Sequence, residues 1–344
     1  MKKTLAFLLA VLMVGTLLAG CGNTQTAAPA NEAPSTEAPT EVSSASSYSP
    51  GNITVVVPYK AGGGIDILGR TVLGVMSSEG ITDAVFTYEN IPGASGQVGL
   101  GVAHEQYAGD DHMLLPISST YTILNEIQGA DYSYKDFVLL GAICSDPNMF
   151  VVNSKLDVDS LDDLVAVSQE RQLVFAISGV GSIAHVLCER AIKELGLNAR
   201  VLPYDGDSEM KVALLAGDVD VTVFNVAECI EYFESGDLKP LAVTTAERLE
   251  AFPDVPTCLE CGTTIEQMTM RGFAMAPGVS QEAIDYWVEK IKEVSENQAL
   301  LDTYVNANSM ISTYMTPEEF RAALDAEYEV DREILTDLGM AVEK

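Results

Sequence analysis

Residues 52–70 read NITVVVPYKAGGGIDILGR, and this stretch decides the fold class. Ile53 to Val57 is a short, mostly apolar run of β-formers, suited to a strand buried on both faces. Gly62, Gly63 and Gly64 let the backbone approach a ligand with no side chain in the way. Ile65, Leu68, Val72 and Val75 recur at helical spacing, so a helix is expected after the glycines. Strand, glycine loop and helix N-terminus together make an anion site from backbone N–H groups at the positive end of the helix dipole. The loop lacks the Gly-Lys-Ser/Thr ending of a P-loop, and its glycines do not fit G-x-G-x-x-G spacing, so a nucleotide is not expected.

The same alternation continues outward. Strands are expected near 83–88, 113–117, 139–144, 150–152, 173–177, 200–204, 219–224 and 238–244. Helices are expected between them at 64–78, 96–105, 160–169, 182–195 and 208–216, which is the α/β signature. The C-terminal part is more helical. Ser280 can cap a helix whose buried face is Ile284, Trp287, Ile291 and Val294. Thr316-Pro317-Glu318-Glu319 is a capping box with proline at the first helical position, and Gly339 is the expected stop.

Lys2 and Lys3 precede an apolar run from Leu5 to Leu18, and Leu18-Ala19-Gly20-Cys21 closes it. Residues 1–20 therefore read as a signal peptide. The tetrapeptide resembles a bacterial lipobox, with cleavage before Cys21 and lipid on its thiol; an ordinary signal peptide with an incidental cysteine is the alternative. Residues 22–50 contain no Leu, Ile, Phe or Met, so with Cys21 they read as a lipid-anchored disordered linker (21–50). As a flexible coil it would span about 30 Å. The expected location is the extracytoplasmic face of the cell membrane.

The remaining residues suffice for two domains of ordinary size. A net charge of −31 argues against nucleic acid or anionic lipid as partner, because both need basic surfaces. Binding an anion must then rest on local dipoles and a few cations. Cys144, Cys188 and Cys229 read as small core residues. Cys258 and Cys261 form a C-x-x-C with no second pair and no histidine pair. Reduced packing residues are the default there, with a disulfide, a redox pair and a zinc site as alternatives. No other metal-ligand spacing, no cofactor motif and no nucleophile elbow is present, and His104, His112 and His185 are not spaced as a metal pair.

Open α/β sheets bind ligands at the carboxyl edge of their strands. Four segments beyond the first glycine loop should lie there. Asn90–Gly96 offers backbone donors and Ser95. Ser118-Ser119-Thr120-Tyr121 offers hydroxyls for a carboxylate, directly or through water. Ser178–His185 repeats the glycine-plus-hydroxyl arrangement of the first loop, and Asn225 follows the strand at 219–224. Packing or capping roles compete at each of these positions.

From about Asn52 to the C-terminus the chain resembles the extracytoplasmic receptors of the tripartite tricarboxylate transporter family. Ile53–Arg70, with Pro58, Tyr59 and Asp66, is similar to the family's opening strand and glycine loop. Asn90–Gly96 is similar to its Asn-x-Pro-Gly-Ala-x-Gly segment, and Ser178–His185 to its Ser-Gly-x-Gly-Ser/Thr loop with a histidine. Val201–Gly206, Gly217–Asp220, Leu241–Thr244 and Phe252–Thr257 follow in family order. The resemblance implies a type 2 periplasmic-binding-protein fold: two α/β lobes around a ligand cleft, joined by two crossing segments near 147–153 and 269–277. Lobe one would be 51–148 plus 272–344, and lobe two 149–271. It departs from the family pattern at Lys60, where the residue is often small, and at Phe224, where an acid is common.

The implied function is non-enzymatic. A small carboxylate (di- or tricarboxylate, or related organic acid) is captured outside the cell and delivered to a two-subunit membrane permease, with the receptor a monomer and no cofactor. The expected ligand-binding residues are Tyr59, Lys60, Gly62, Gly63, Gly64, Asp66, Ser95, Ser119, Thr120, Ser178, Gly181, Ser182, His185 and Asn225, with Asp66 orienting the loop. A sensor presenting ligand to a membrane kinase and a surface hydrolase are the alternatives.

Overall fold

The computed structural model describes residues 48–122, 129, 132–204 and 206–339. The expected signal peptide, Cys21 and most of the linker lie outside these residues, as does Asp205. Tyr48 belongs to the folded body: its hydroxyl donates to the Asp111 carbonyl (2.7 Å) and accepts from Trp287 Nε1 (3.1 Å).

Strand β1 (Asn52–Val57) pairs in parallel with β2 (Val85–Asn90) and β3 (Met113–Ser118). Val55, Val56 and Val57 are fully buried, as an apolar central strand requires. Helices α1 (Gly64–Ser78) and α2 (Gln97–Gln106) form the crossovers. Helix α1 turns Leu68, Val72, Leu73 and Met76 into the core, one face at helical spacing.

Strand β4 (Val138–Asn153) organises the rest. The sequence suggests two strands, near 139–144 and 150–152; the structure makes one strand of 16 residues. Its first part pairs antiparallel with β9 (Met268–Met275), ending at Pro147 opposite Met268. From Asn148 it pairs instead with β7 (Val221–Asn225), and β8 (Leu238–Val243) pairs with Met149–Asn153. The handover falls at Pro147, which has no N–H to extend a ladder. Strands β5 (Leu173–Ile177) and β6 (Ala199–Pro203) complete a parallel set with β7. β10 (Ile311–Met315) pairs with Ala142–Ser145 of β4.

The sheet order β2-β1-β3-β9-β4-β7-β5-β6 thus holds two α/β halves joined through β4. Each half has its own apolar core. One gathers Val55, Leu73, Phe273 and Trp287, the other Phe150, Phe175, Leu187 and Val221. Helices α3 (Leu161–Glu170), α4 (Ile183–Leu195), α5 (Asp207–Ala216) and α6 (Ile230–Ser235) accompany the second half.

Strand β9 escapes a pattern-based reading, because Thr269, Arg271 and Gly272 interrupt its apolar run. Gly272 has no alternative: a Cβ there would collide with the Gly141 carbonyl oxygen of β4. The C-terminal helices behave as their caps suggest. In α7 (Gln281–Ser295) the Ser280 side chain accepts from Ala283 N–H, and Trp287, Ile291 and Val294 are buried. Helix α8 (Pro317–Asp337) opens on the complete Thr316–Glu319 capping box. Gly339 follows it with φ 68°, the left-handed stop.

Candidate ligand cleft

Asp66, on the first turn of α1, is 2% exposed. Its carboxylate accepts from Gly62 N–H (2.8 Å), Arg70 Nε (2.9 Å) and Asn90 Nδ2 (2.9 Å). Burial alone would raise its pKa, but those hydrogen bonds hold it below the ordinary carboxylate range. Asn90 also donates to the Tyr59 carbonyl (3.0 Å), so strand β2 and the glycine loop are tied together through Asp66. The loop it holds stands at the N-terminus of α1. Gly63 is the N-cap, and no side chain caps it. The first helical amides have no intrahelical acceptor there, and Gly62 and Gly64 are exposed.

Around this loop, Tyr59 donates to the Ser95 carbonyl (2.8 Å) and stacks on Tyr121 at 6.1 Å. Burial pushes the Tyr59 phenol up to about 12, opposed by a hydrogen bond to the Thr120 side chain. Thr120 Oγ1 lies 2.6 Å from Ser118 Oγ. Ala94 and Ser95 hold left-handed backbone at φ 46° and 52°, which exposes the Ser95 side chain on a strained turn. Lys60 is exposed at the rim. Ser119 lies elsewhere: fully buried, its Oγ accepts from Met270 N–H (3.2 Å) and serves the packing of β9.

Arg271 and Asp146 lie beneath the glycine loop and carry no signal in the motif reading. Arg271 Nη2 and Nε donate to Asp146 Oδ2 at 2.5 and 3.2 Å. A Cβ on Gly64 would stand 3.0 Å from Arg271 Nη1, so a larger residue would have to push the guanidinium aside at this helix start. Burial would lower the Arg271 pKa, but Asp146 and its neighbours outweigh it and keep the arginine charged. A lone arginine inside the apolar run 268–275 is the sequence signal that marks it.

In the second half, the loop after β5 spends most of its polar groups on itself. Gly181 N–H donates to His185 Nδ1 (3.0 Å), and Ser182 Oγ caps α4 by accepting from His185 N–H (3.2 Å). His185 is buried, with Nε2 3.7 Å from Glu189. Ser178 instead hydrogen-bonds the Asp207 carboxylate. Asp207 reaches across: its charge acts on the Tyr59 hydroxyl of the first half. Lys211 Nζ lies 3.5 Å from Glu228 Oε2 and donates to the Glu228 carbonyl (2.9 Å). Burial raises the pKa of both acids, and Asp207 adds to the rise at Glu228. Asn225 Nδ2 donates to Asn148 Oδ1 (3.3 Å) and lies beside Asp146. Phe224 is buried, with Lys211 Nζ 5.3 Å from its ring centre.

The structure therefore brings together Tyr59, Gly62–Gly64, Thr120, Ser178 and Asn225. It adds Asp146, Asp207, Lys211, Glu228 and Arg271, and assigns Asp66, Ser119, Gly181, Ser182 and His185 to internal bonds. The profile of the Tripartite tricarboxylate transporter family receptor matches residues 72–339. The chain belongs to that family. Protein BugT of Bordetella pertussis is 30% identical over 285 residues, covering 81% of this chain and 86% of BugT. Among solved structures, R. palustris Rpa4515 with adipate superposes with a TM-score of 0.75 at 23% identity, over 84% of this chain and 98% of that one. MatC of Rhodopseudomonas palustris, with bound malate, gives 0.71 at 19% identity, over 83% and 98%. The fold is the two-lobed periplasmic-binding-protein fold. Receptors of this family are extracytoplasmic solute binders and not enzymes, and this member is one of them. Among the described residues, no helix is long and apolar enough to cross a membrane.

Proposed function

We propose that this receptor captures a small carboxylate, drawn from the di- and tricarboxylates and related organic acids, and hands it to a two-subunit membrane permease. Lobe one is 51–148 plus 272–344 and lobe two 149–271, and ligand closes them as a monomeric clamp. Lipid on Cys21 tethers the body to the membrane through the 21–50 linker. The observation that carries the reading is the α1 N-terminus. Its glycine loop is held open by Asp66, its N-cap has no side chain, and its amides meet a charged arginine. Tyr59, Lys60, Ser95 and Thr120 line that cradle, and Ser178 and Asn225 face it from lobe two. The adipate and malate found with two structural neighbours agree with an organic acid as ligand.

A thermal-shift panel of organic acids on the purified protein tests the reading. Ligand at a hundred times its Kd adds about 2.7 kcal/mol, enough to raise Tm by roughly 5 °C in a body of this size. No shift with any acid sinks it. Loss of uptake of the responding acid in a deletion strain separates transport from presentation to a sensor kinase.

A further inference from the structure

The Arg271–Asp146 pair leaves one donor and one acceptor unused. Arg271 is 7% exposed; Nε and Nη2 go to Asp146, while Nη1 points at Gly64 with no hydrogen bond among the described residues. Asp146 is 1% exposed, and its Oδ1 accepts no hydrogen bond among the described residues. The Asn225 amide is near enough to favour the ionised carboxylate, but its own hydrogen bond goes to Asn148. A buried acceptor left without a partner, as Asp146 Oδ1 is, costs free energy comparable to a lost hydrogen bond. A ligand that brings a donor to the acidic side relieves that cost, and an acceptor on the same ligand gives Nη1 a partner.

The charges around the cleft point the same way. Arg271 and Lys211 face Asp146, Asp207 and Glu228. Counting exposed Lys60 at the rim, the balance only reaches zero, and Asp66 is neutralised by Arg70. A ligand with two or three negative charges enters such a site against repulsion from Asp207 and Glu228, which already share a single lysine. Burial raises the proton affinity of both, and at Glu228 the Asp207 charge adds to it.

Resting on the receptor reading above, we infer that the ligand is an amino carboxylate. Its carboxylate is taken directly by Arg271 Nη1 and the α1 amides, and its protonated nitrogen faces Asp146, Asp207 and Glu228. Arg271 and the acidic wall are then the specificity-determining residues.

Calorimetric titration of the purified receptor with matched probes tests this: succinate and adipate against aspartate, 4-aminobutanoate and 6-aminohexanoate. At least one amino acid should bind ten-fold or more tightly than both diacids. Asp207→Asn with Glu228→Gln should erase or reverse that preference while the protein stays folded. Arg271→Ala alone strands a buried carboxylate, so the clamp is tested with R271Q/D146N, which keeps the shape and removes both charges. Affinity should fall at least ten-fold with Tm little changed. Diacids binding as tightly as the amino acids, or R271Q/D146N binding normally, overturns the inference and leaves the receptor reading intact. Binding of no acid in the calorimeter and in the thermal-shift panel overturns both.

Discussion

Asp66 spends its carboxylate on the loop that precedes it, on Arg70 and on Asn90, and has nothing left for a ligand. Charge-assisted bonds of this kind are about twice as strong as neutral ones, so Asp66→Ala should free the glycine loop. The expected cost is about 2 kcal/mol of stability and at least ten-fold in ligand affinity, without loss of any direct contact. Denaturant melts and titration of the variant check both; wild-type affinity would show that the loop holds its shape unaided. The same scale explains His185. It looks like a ligand contact in the sequence, but its Nδ1 is occupied by the Gly181 amide, which holds the loop after β5 in place.

At the scale of elements, α8 depends on its start. Thr316 Oγ1 accepts from Glu319 N–H at 3.3 Å, and Glu319 Oε2 accepts from Thr316 N–H at 2.9 Å. Thr316→Ala should cost about 1 kcal/mol, read as a drop in Tm of roughly 2 °C; an unchanged Tm would mean that packing alone sets the helix. That packing reaches the second half: Leu335 of α8 meets Val186 of α4, and Lys193 pairs with Asp337 at 2.5 Å. Strand β4 joins the halves in another way, changing partners at Pro147 where the backbone has no donor to share.

Across the whole molecule, buried acids set the pH response. Glu327 on α8, close to Gln267, Ser119 and Asp331, is pushed from 4.5 up to about 8, by burial first and by Asp331 next. Asp331, Asp207 and Glu228 are raised by the same cause. A carboxyl whose folded pKa exceeds its unfolded value keeps its proton longer when folded, so stability falls as pH rises between the two. Asp66 and Glu319 act oppositely, losing their contribution as acid protonates them in the folded state. Stability should therefore peak near pH 5, at about the ordinary carboxylate range, and decline toward pH 8. Glu327→Gln should flatten that decline. Melting midpoints across this range are the check, and a wild-type midpoint that rises from pH 5 to 8 would contradict it.

The sequence by itself determined what depends on near neighbours along the chain. The β1–glycine loop–α1 unit follows from residue spacing over nineteen positions. The α/β alternation and the caps at Ser280 and Thr316 were likewise legible, because 3.6- and 2-residue periodicities and capping chemistry are local. The family motifs singled out the glycine loop after β1. Only the tertiary structure decided the charges of the cleft. Arg271 and Asp146 are 125 residues apart, and they meet because β9 lies against β4. Asp207 comes to bear on Tyr59 only once the two halves face each other. A lone arginine in an apolar run and an acid at the first turn of a helix have no meaning until strand pairing supplies their partners. That is why the glycine loop could be read from the chain, and the opposing charges beside it could not.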